Sequence, residues 1–154
     1  MVPTPASRPD WGIVLLRIAL GAVLLRHGTR LFDSGVGAWM VENTAHRIAE
    51  APDYFAWFGQ NIALRLPAVC AWLYVGAMLL VGCALFLGAL VRPACAVAVL
   101  LMLTAFYAGP VGKQEYAVLI AVCALVCFIS NAGTRVGVDQ ALVGRLSPLI
   151  TWSR

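Results

Sequence analysis

Arg17 is the residue that most calls for a chemical explanation, because it interrupts the first apolar run of the chain, Trp11 to Arg30. With Trp11 at a membrane interface, the 1.5 Å rise of a helix sets Arg17 about 9 Å inside the hydrocarbon. A guanidinium at that depth costs about 3 kcal/mol on insertion scales and more on others, so it needs a partner. Arg17, Gly21, Leu24 and Gly28 fall on one stripe at 100° per residue. That face is expected to point into a helix bundle, where a carboxylate or a bound ligand neutralises the charge. Asp139, placed by topology on the same side, is the expected intramembrane partner; snorkelling to a lipid phosphate is the other reading. Near the opposite end of the run stand His27 and Arg30, with Asp33 a turn further on. A neutral imidazole there can donate to a quinone carbonyl or accept the proton of a quinol as it oxidises. The plainer reading is an interfacial His-Arg-Asp network that satisfies itself.

Other chemistry finds less support. Cys70, Cys83, Cys95, Cys123 and Cys127 all lie in apolar segments, where free cysteines behave as small hydrophobes and a disulfide framework is not expected. Cys123 and Cys127 are spaced i, i+4, but no His or carboxylate joins them on that helix, so no metal site is expected. Haem needs a second axial ligand, and His46, the only other histidine, falls in a loop. Glu115 opens an apolar run, where a carboxylate suits the positive end of a helix dipole better than a proton relay. There is no phosphate-cradling glycine loop, no nucleophile with a base and orienter, and no carboxylate pair, so catalysis by this chain alone is not expected.

The elements that must position these residues follow from composition. Of 154 residues, 62% are hydrophobic and 12% charged, with mean hydropathy +0.87. A water-soluble domain carries roughly a quarter charged residues. The expected fold is therefore all-α, an integral membrane four-helix bundle. A polar segment, 1–10, precedes a transmembrane domain, 11–139, with spans at about 11–30, 67–91, 94–109 and 116–132, and 140–154 forms an interfacial tail. The second span is the clearest: Pro67 to Val91 runs twenty-five residues without a charge, and Arg92-Pro93 is read as the turn that follows. Asp10 is read as the cap of the first helix, and Asn131, Gly133 and Thr134 as the end of the last.

The loop 33–66 is too long for a simple turn and should hold structure of its own. His46, Arg47 and Glu50 suit one helical turn, and Pro52-Asp53 starts a second piece bearing Tyr54, Phe55, Trp57 and Phe58. These aromatics read first as a belt at headgroup level, and second as a contact patch for a partner or a quinone ring. Small residues form seams at Cys70, Ala77, Ala84 and Gly88, at Ala94, Ala98, Ala105 and Gly109, and at Ala117, Ala121 and Ala124, the means by which helices approach closely in lipid. Gly76, Gly82 and Gly88 are spaced by six and fall on three different faces.

The net charge of +4 does not signal nucleic-acid binding, because the basic residues stand singly at the ends of apolar runs. They divide five and five between the two sides of a four-span topology. With Arg26 and Arg30 assigned to the membrane edge, the side holding both termini is richer, which places the termini in the cytoplasm of a multi-pass protein, here read as one of the bacterial inner membrane.

Leu16-Arg17-Ile18-Ala19-Leu20-Gly21, followed by His27-Gly28-Thr29-Arg30-Leu31-Phe32, resembles the opening motif of the DoxX/DoxD-like family. Gly82 to Ala94, with Leu87-Gly88-Ala89-Leu90-Val91-Arg92-Pro93-Ala94, is similar to that family's second helix and Arg turn, and Gly133-Thr134-Arg135-Val136-Gly137-Val138-Asp139 to its closing motif. Met78 stands where members often carry Glu, and Arg30 where many have Lys. The resemblance implies a small four-helix membrane subunit, in some members part of a thiosulfate:quinone oxidoreductase. The expected function is a membrane anchor or quinone-adjacent subunit of such a complex, touching lipid and protein subunits and carrying no covalent cofactor, with a quinone as its ligand. Arg17, His27 and Arg30 would be its ligand or headgroup contacts. The alternatives are a non-catalytic structural or assembly subunit of a respiratory or photosynthetic complex and, with one isolated intramembrane Arg and no carboxylate chain, less readily a small transporter.

Overall fold

A computed structural model describes residues 11–33, 45, 51–108 and 114–130. These residues are helical with short connections: α1 (Trp11–Asp33), α2 (Asp53–Phe58), a π-helical turn (Gly59–Ala63), α3 (Pro67–Leu87), α4 (Val91–Ala108) and α5 (Gln114–Ile129). The long helices close a ring, α1 beside α3, α3 beside α4, α4 beside α5, and α5 back beside α1. Their inward faces meet in one core that includes Leu24, Met78, Leu85, Cys95 and Cys127. Met78 is fully buried there and needs no polar partner.

α1 and α3 run antiparallel and very close together. A Cβ added to Gly21 would lie 2.7 Å from the Phe86 backbone N and 2.9 Å from the Gly82 O, one added to Gly82 would meet Leu25, and one added to Gly28 would meet Leu79. Near the far end of the pair, Phe32 and Trp72 stack edge to face with ring centroids 5.3 Å apart. Backbones without side chains between them are the usual route to tight helix packing where solvent gives no hydrophobic drive.

α3 opens with Pro67 in its first turn, where a missing N–H is no loss. It ends at Leu87, four residues before the expected limit, because Gly88 adopts the left-handed conformation at φ +71°. The Gly88 N–H donates to the Leu85 O and the Ala89 N–H to the Ala84 O, the paired bonds of a Schellman cap. The turn is thus Gly88 to Leu90, with Leu90 also at positive φ, 51°. Arg92 and Pro93 lie in the first turn of α4, not in the connection, since a proline ring costs nothing where the first N–H groups have no intrahelical acceptor.

α5 begins two residues earlier than expected, with Glu115 in its first turn at the positive end of the dipole. α2 begins at the Pro52-Asp53 start read from sequence, the Pro52 carbonyl accepting from Phe55 and Ala56. The loop turn at His46, Arg47 and Glu50, the Asp10 cap and the end at Asn131, Gly133 and Thr134 lie outside the described residues. Two helices, Trp11–Phe32 and Pro67–Leu87, are long and apolar enough to cross a membrane; α4 and α5 are shorter apolar helices. Large apolar side chains stand exposed on every long helix, among them Leu15, Val23, Leu73, Leu80, Leu100, Leu119 and Ile129.

Candidate functional site

The stripe read on α1 does face inward: Arg17, Gly21, Leu24 and Gly28 are all buried. Arg17 is only 3% exposed, the one buried charged side chain among the described residues. Its guanidinium rests against Gly88. A Cβ on Gly88 would fall 2.7 Å from Nη1, 2.8 Å from Cζ and 2.9 Å from Nη2. Two independent requirements therefore fix glycine at this position, the left-handed backbone and the space taken by the guanidinium. The contact also puts a cation at the C-terminus of α3, where the last carbonyls lack helical donors and the dipole is negative. Part of the cost of burying Arg17 is offset in this way by backbone that the sequence alone does not reveal.

Cys95 on α4 and Cys127 on α5 are fully buried and lie within electrostatic reach of Arg17 and of each other; Cys123, a turn from Cys127, is half-buried. All five cysteines are free thiols. At the same end of the bundle the Arg92 guanidinium lies over the Phe128 ring, 5.7 Å from its centroid, tying the start of α4 to the end of α5. The gathering of Arg17, Gly88, Cys95 and Cys127 was not read from sequence. Its one available signal was that Arg17 and Cys127 sit on helices whose ends share a side. Asp139, the expected partner of Arg17, lies outside the described residues. Among those residues, no group of three or more His, Cys, Asp or Glu could hold a metal ion.

His27 and Arg30 are not brought to Arg17. They sit ten and thirteen residues further along α1, roughly 15–20 Å up the axis, and both are exposed. Asp33 closes the helix. The aromatics of α2 are in their half of the molecule. Tyr107, near the end of α4, is the hub on which α2 docks: its ring lies 5.2 Å from that of Phe55 and 6.4 Å from that of Tyr54. Phe55 consequently points inward and is buried, which removes it from the outward patch expected of the four aromatics, while Tyr54, Trp57 and Phe58 remain exposed. The sequence reading overlooked Tyr107 because it was counted within a span and not as part of the loop's footing.

The neighbouring Tyr107 hydroxyl, more than burial, raises the pKa of Tyr54 above the ordinary phenol value. Tyr107→Phe is expected to lower the Tyr54 pKa, because the hydroxyl that favours the neutral phenol is lost. Phenolate absorbance during an alkaline titration checks this; an unchanged midpoint would separate the two hydroxyls.

Neither a curated protein nor a solved structure matches the chain. A family model does: DoxX matches residues 12–110, which takes in α1 to α4 and leaves α5 and the motif resembled at Gly133 to Asp139 outside the match. With well over half of its length covered by that model, the chain belongs to the DoxX family, and it is a membrane protein.

Proposed function

We propose that this protein is a four-span membrane subunit of a quinone-linked oxidoreductase assembly, acting as anchor or quinone-adjacent surface and not as a catalyst by itself. The observation that supports this reading is the set of exposed groups in the half of the molecule away from Arg17, His27 and Arg30 on α1 and the rings of Tyr54, Trp57 and Phe58 on α2. Hydrogen-bond donors and aromatic faces in the same half of a membrane protein suit the polar head and flat ring of a quinone. The apolar outer faces of the long helices support the membrane placement. α4 and α5, at about 27 and 24 Å, fall somewhat short of a ~30 Å hydrocarbon core, a mismatch that local thinning absorbs at small cost. In this topology the Arg17 end, where α1 begins and α5 finishes, faces the cytoplasm.

In the assembled complex, His27→Ala is expected to lower quinone reduction at least tenfold with subunit composition unchanged, the range for removing one positioned proton-transfer group or donor. Arg17→Leu should also lower turnover. Loss of assembly, with normal turnover in whatever complex survives, would contradict the reading.

A structural subunit is the second reading, and the 62% exposure of Trp57 favours it. Large exposed aromatics are the residues through which partners bind most strongly. Trp57→Ala together with Phe58→Ala should then release partner subunits during purification, and retention of every partner would count against it.

A further inference from the structure

The outward face of α3 is not smooth. Ala68, Val69, Trp72, Gly76 and Leu80 line an open groove of about 560 Å³ whose wall is almost wholly apolar. Gly76 forms part of its floor, and a Cβ added there would meet nothing within 4 Å. The edge-to-face pair of Trp72 and Phe32 borders it on the α1 side. From Ala68 to Leu80 the groove is about 18 Å long, close to the depth of one leaflet of hydrocarbon. It begins at the N-terminus of α3, at headgroup level, and ends near the bilayer middle.

Its mouth is basic. Arg65, exposed, stands three residues before Ala68. No side chain caps the first turn of α3, so the positive end of the helix dipole adds to that charge. On α1, Arg26 and Arg30 stand alongside the groove and not at its mouth, because Gly28 packs at Leu79 and Phe32 at Trp72. Of the carboxylates at this end, Asp33 closes α1, while the exposed Asp53 and Glu115 belong to α2 and α5, which do not flank the groove.

We infer that this groove holds one acyl chain of an anionic phospholipid, its phosphate set on Arg65. The inference rests on the membrane-spanning reading of α3. A second copy of the chain would fill the apolar wall equally well but would bring a second Arg65 to the mouth, and a neutral lipid would leave that charge unused.

The test uses the full chain in mild detergent, offered phosphatidylglycerol or phosphatidylcholine with identical acyl chains, with retained lipid read by native mass spectrometry. The wild type is expected to keep the anionic lipid about fivefold more than the zwitterionic one, the effect of one basic residue near a membrane surface. Gly76→Phe should reduce retention of both. Arg65→Gln should bring the two to parity. Equal retention by the wild type, or indifference to Gly76→Phe, would overturn the proposal, as would a dimer in the same spectra that Gly76→Phe dissolves. Recovery of the protein in the soluble fraction without detergent would instead refute the membrane reading beneath it.

Discussion

Gly21→Leu is expected to force α1 away from α3 and to lower the stability of the detergent-solubilised protein by ~3 kcal/mol or more, the upper range for overpacking. The reason lies in what the new side chain meets. At Gly21 the nearest atoms are the backbone N of Phe86 and the backbone O of Gly82, which cannot rotate aside, whereas at Gly28 the obstacle is the flexible end of Leu79. Gly28→Ala should therefore cost less than Gly21→Ala. Gly76→Leu, facing open space, should change stability by less than about 0.5 kcal/mol. Thermal melting followed by circular dichroism ranks the three positions, and a Gly21 variant as stable as the Gly76 variant would show that the two helices are not in backbone contact.

Gly88→Val is expected to be comparably damaging for two separable reasons. A β-branched residue at φ +71° carries about 1–2 kcal/mol of backbone strain, and its Cβ would displace a buried guanidinium from the end of α3. The milder Gly88→Ala isolates the second effect through a double-mutant cycle. In an Arg17→Ala background the clash is gone and only strain remains, so Gly88→Ala should cost less there than in the wild type. Equal costs in both backgrounds would mean that Arg17 does not rest on Gly88.

The orientation of α1 was legible in the sequence because Arg17 breaks an apolar run and thereby marks a phase: one expensive residue, with two glycines on its stripe, could face only inward. α3 offered no such mark. With no charge from Pro67 to Val91, nothing in the sequence separates an outer from an inner face, since in lipid both are apolar. Of the small-residue seam read there, Cys70, Ala77 and Ala84 are only half-buried and Gly88, just past the helix, is buried, while the buried stripe of the helix is Ala71, Tyr74, Val75, Met78, Val81, Gly82 and Leu85. On α4 and α5 the seams fared better, Ala94, Ala98, Ala117 and Ala124 being buried. The misplacement of Arg92 and Pro93 in the turn has a related cause. Charge and proline usually mark a connection, but a first helical turn accepts both, and the reversal is made by Gly88 to Leu90.

The candidate site was legible only within single helices. His27 and Arg30 were assigned correctly to one end of α1 and Arg17 to the other, because distance along a helix follows directly from residue number. Contacts between helices were not: the seat of Arg17 on Gly88, the nearness of Cys95 and Cys127, and the docking of Phe55 on Tyr107 depend on how separate segments are brought together. The inward turn of Phe55 shows the consequence. Four aromatics within five residues read as one patch, yet a short helix must spend one of them on its own footing.

The account's central claim is that this DoxX-family chain serves a larger quinone-linked membrane assembly, with the His27 end at the quinone. The most direct measurement is gentle purification of the native protein into nanodiscs, with mass spectrometry of co-purifying polypeptides and extraction of bound quinones. Redox subunits in fixed stoichiometry together with quinone, the quinone being lost in the His27→Ala and Arg30→Ala variants, is the predicted result. A large complex that retains full quinone reduction after this chain is removed would contradict the claim and leave the protein a structural accessory.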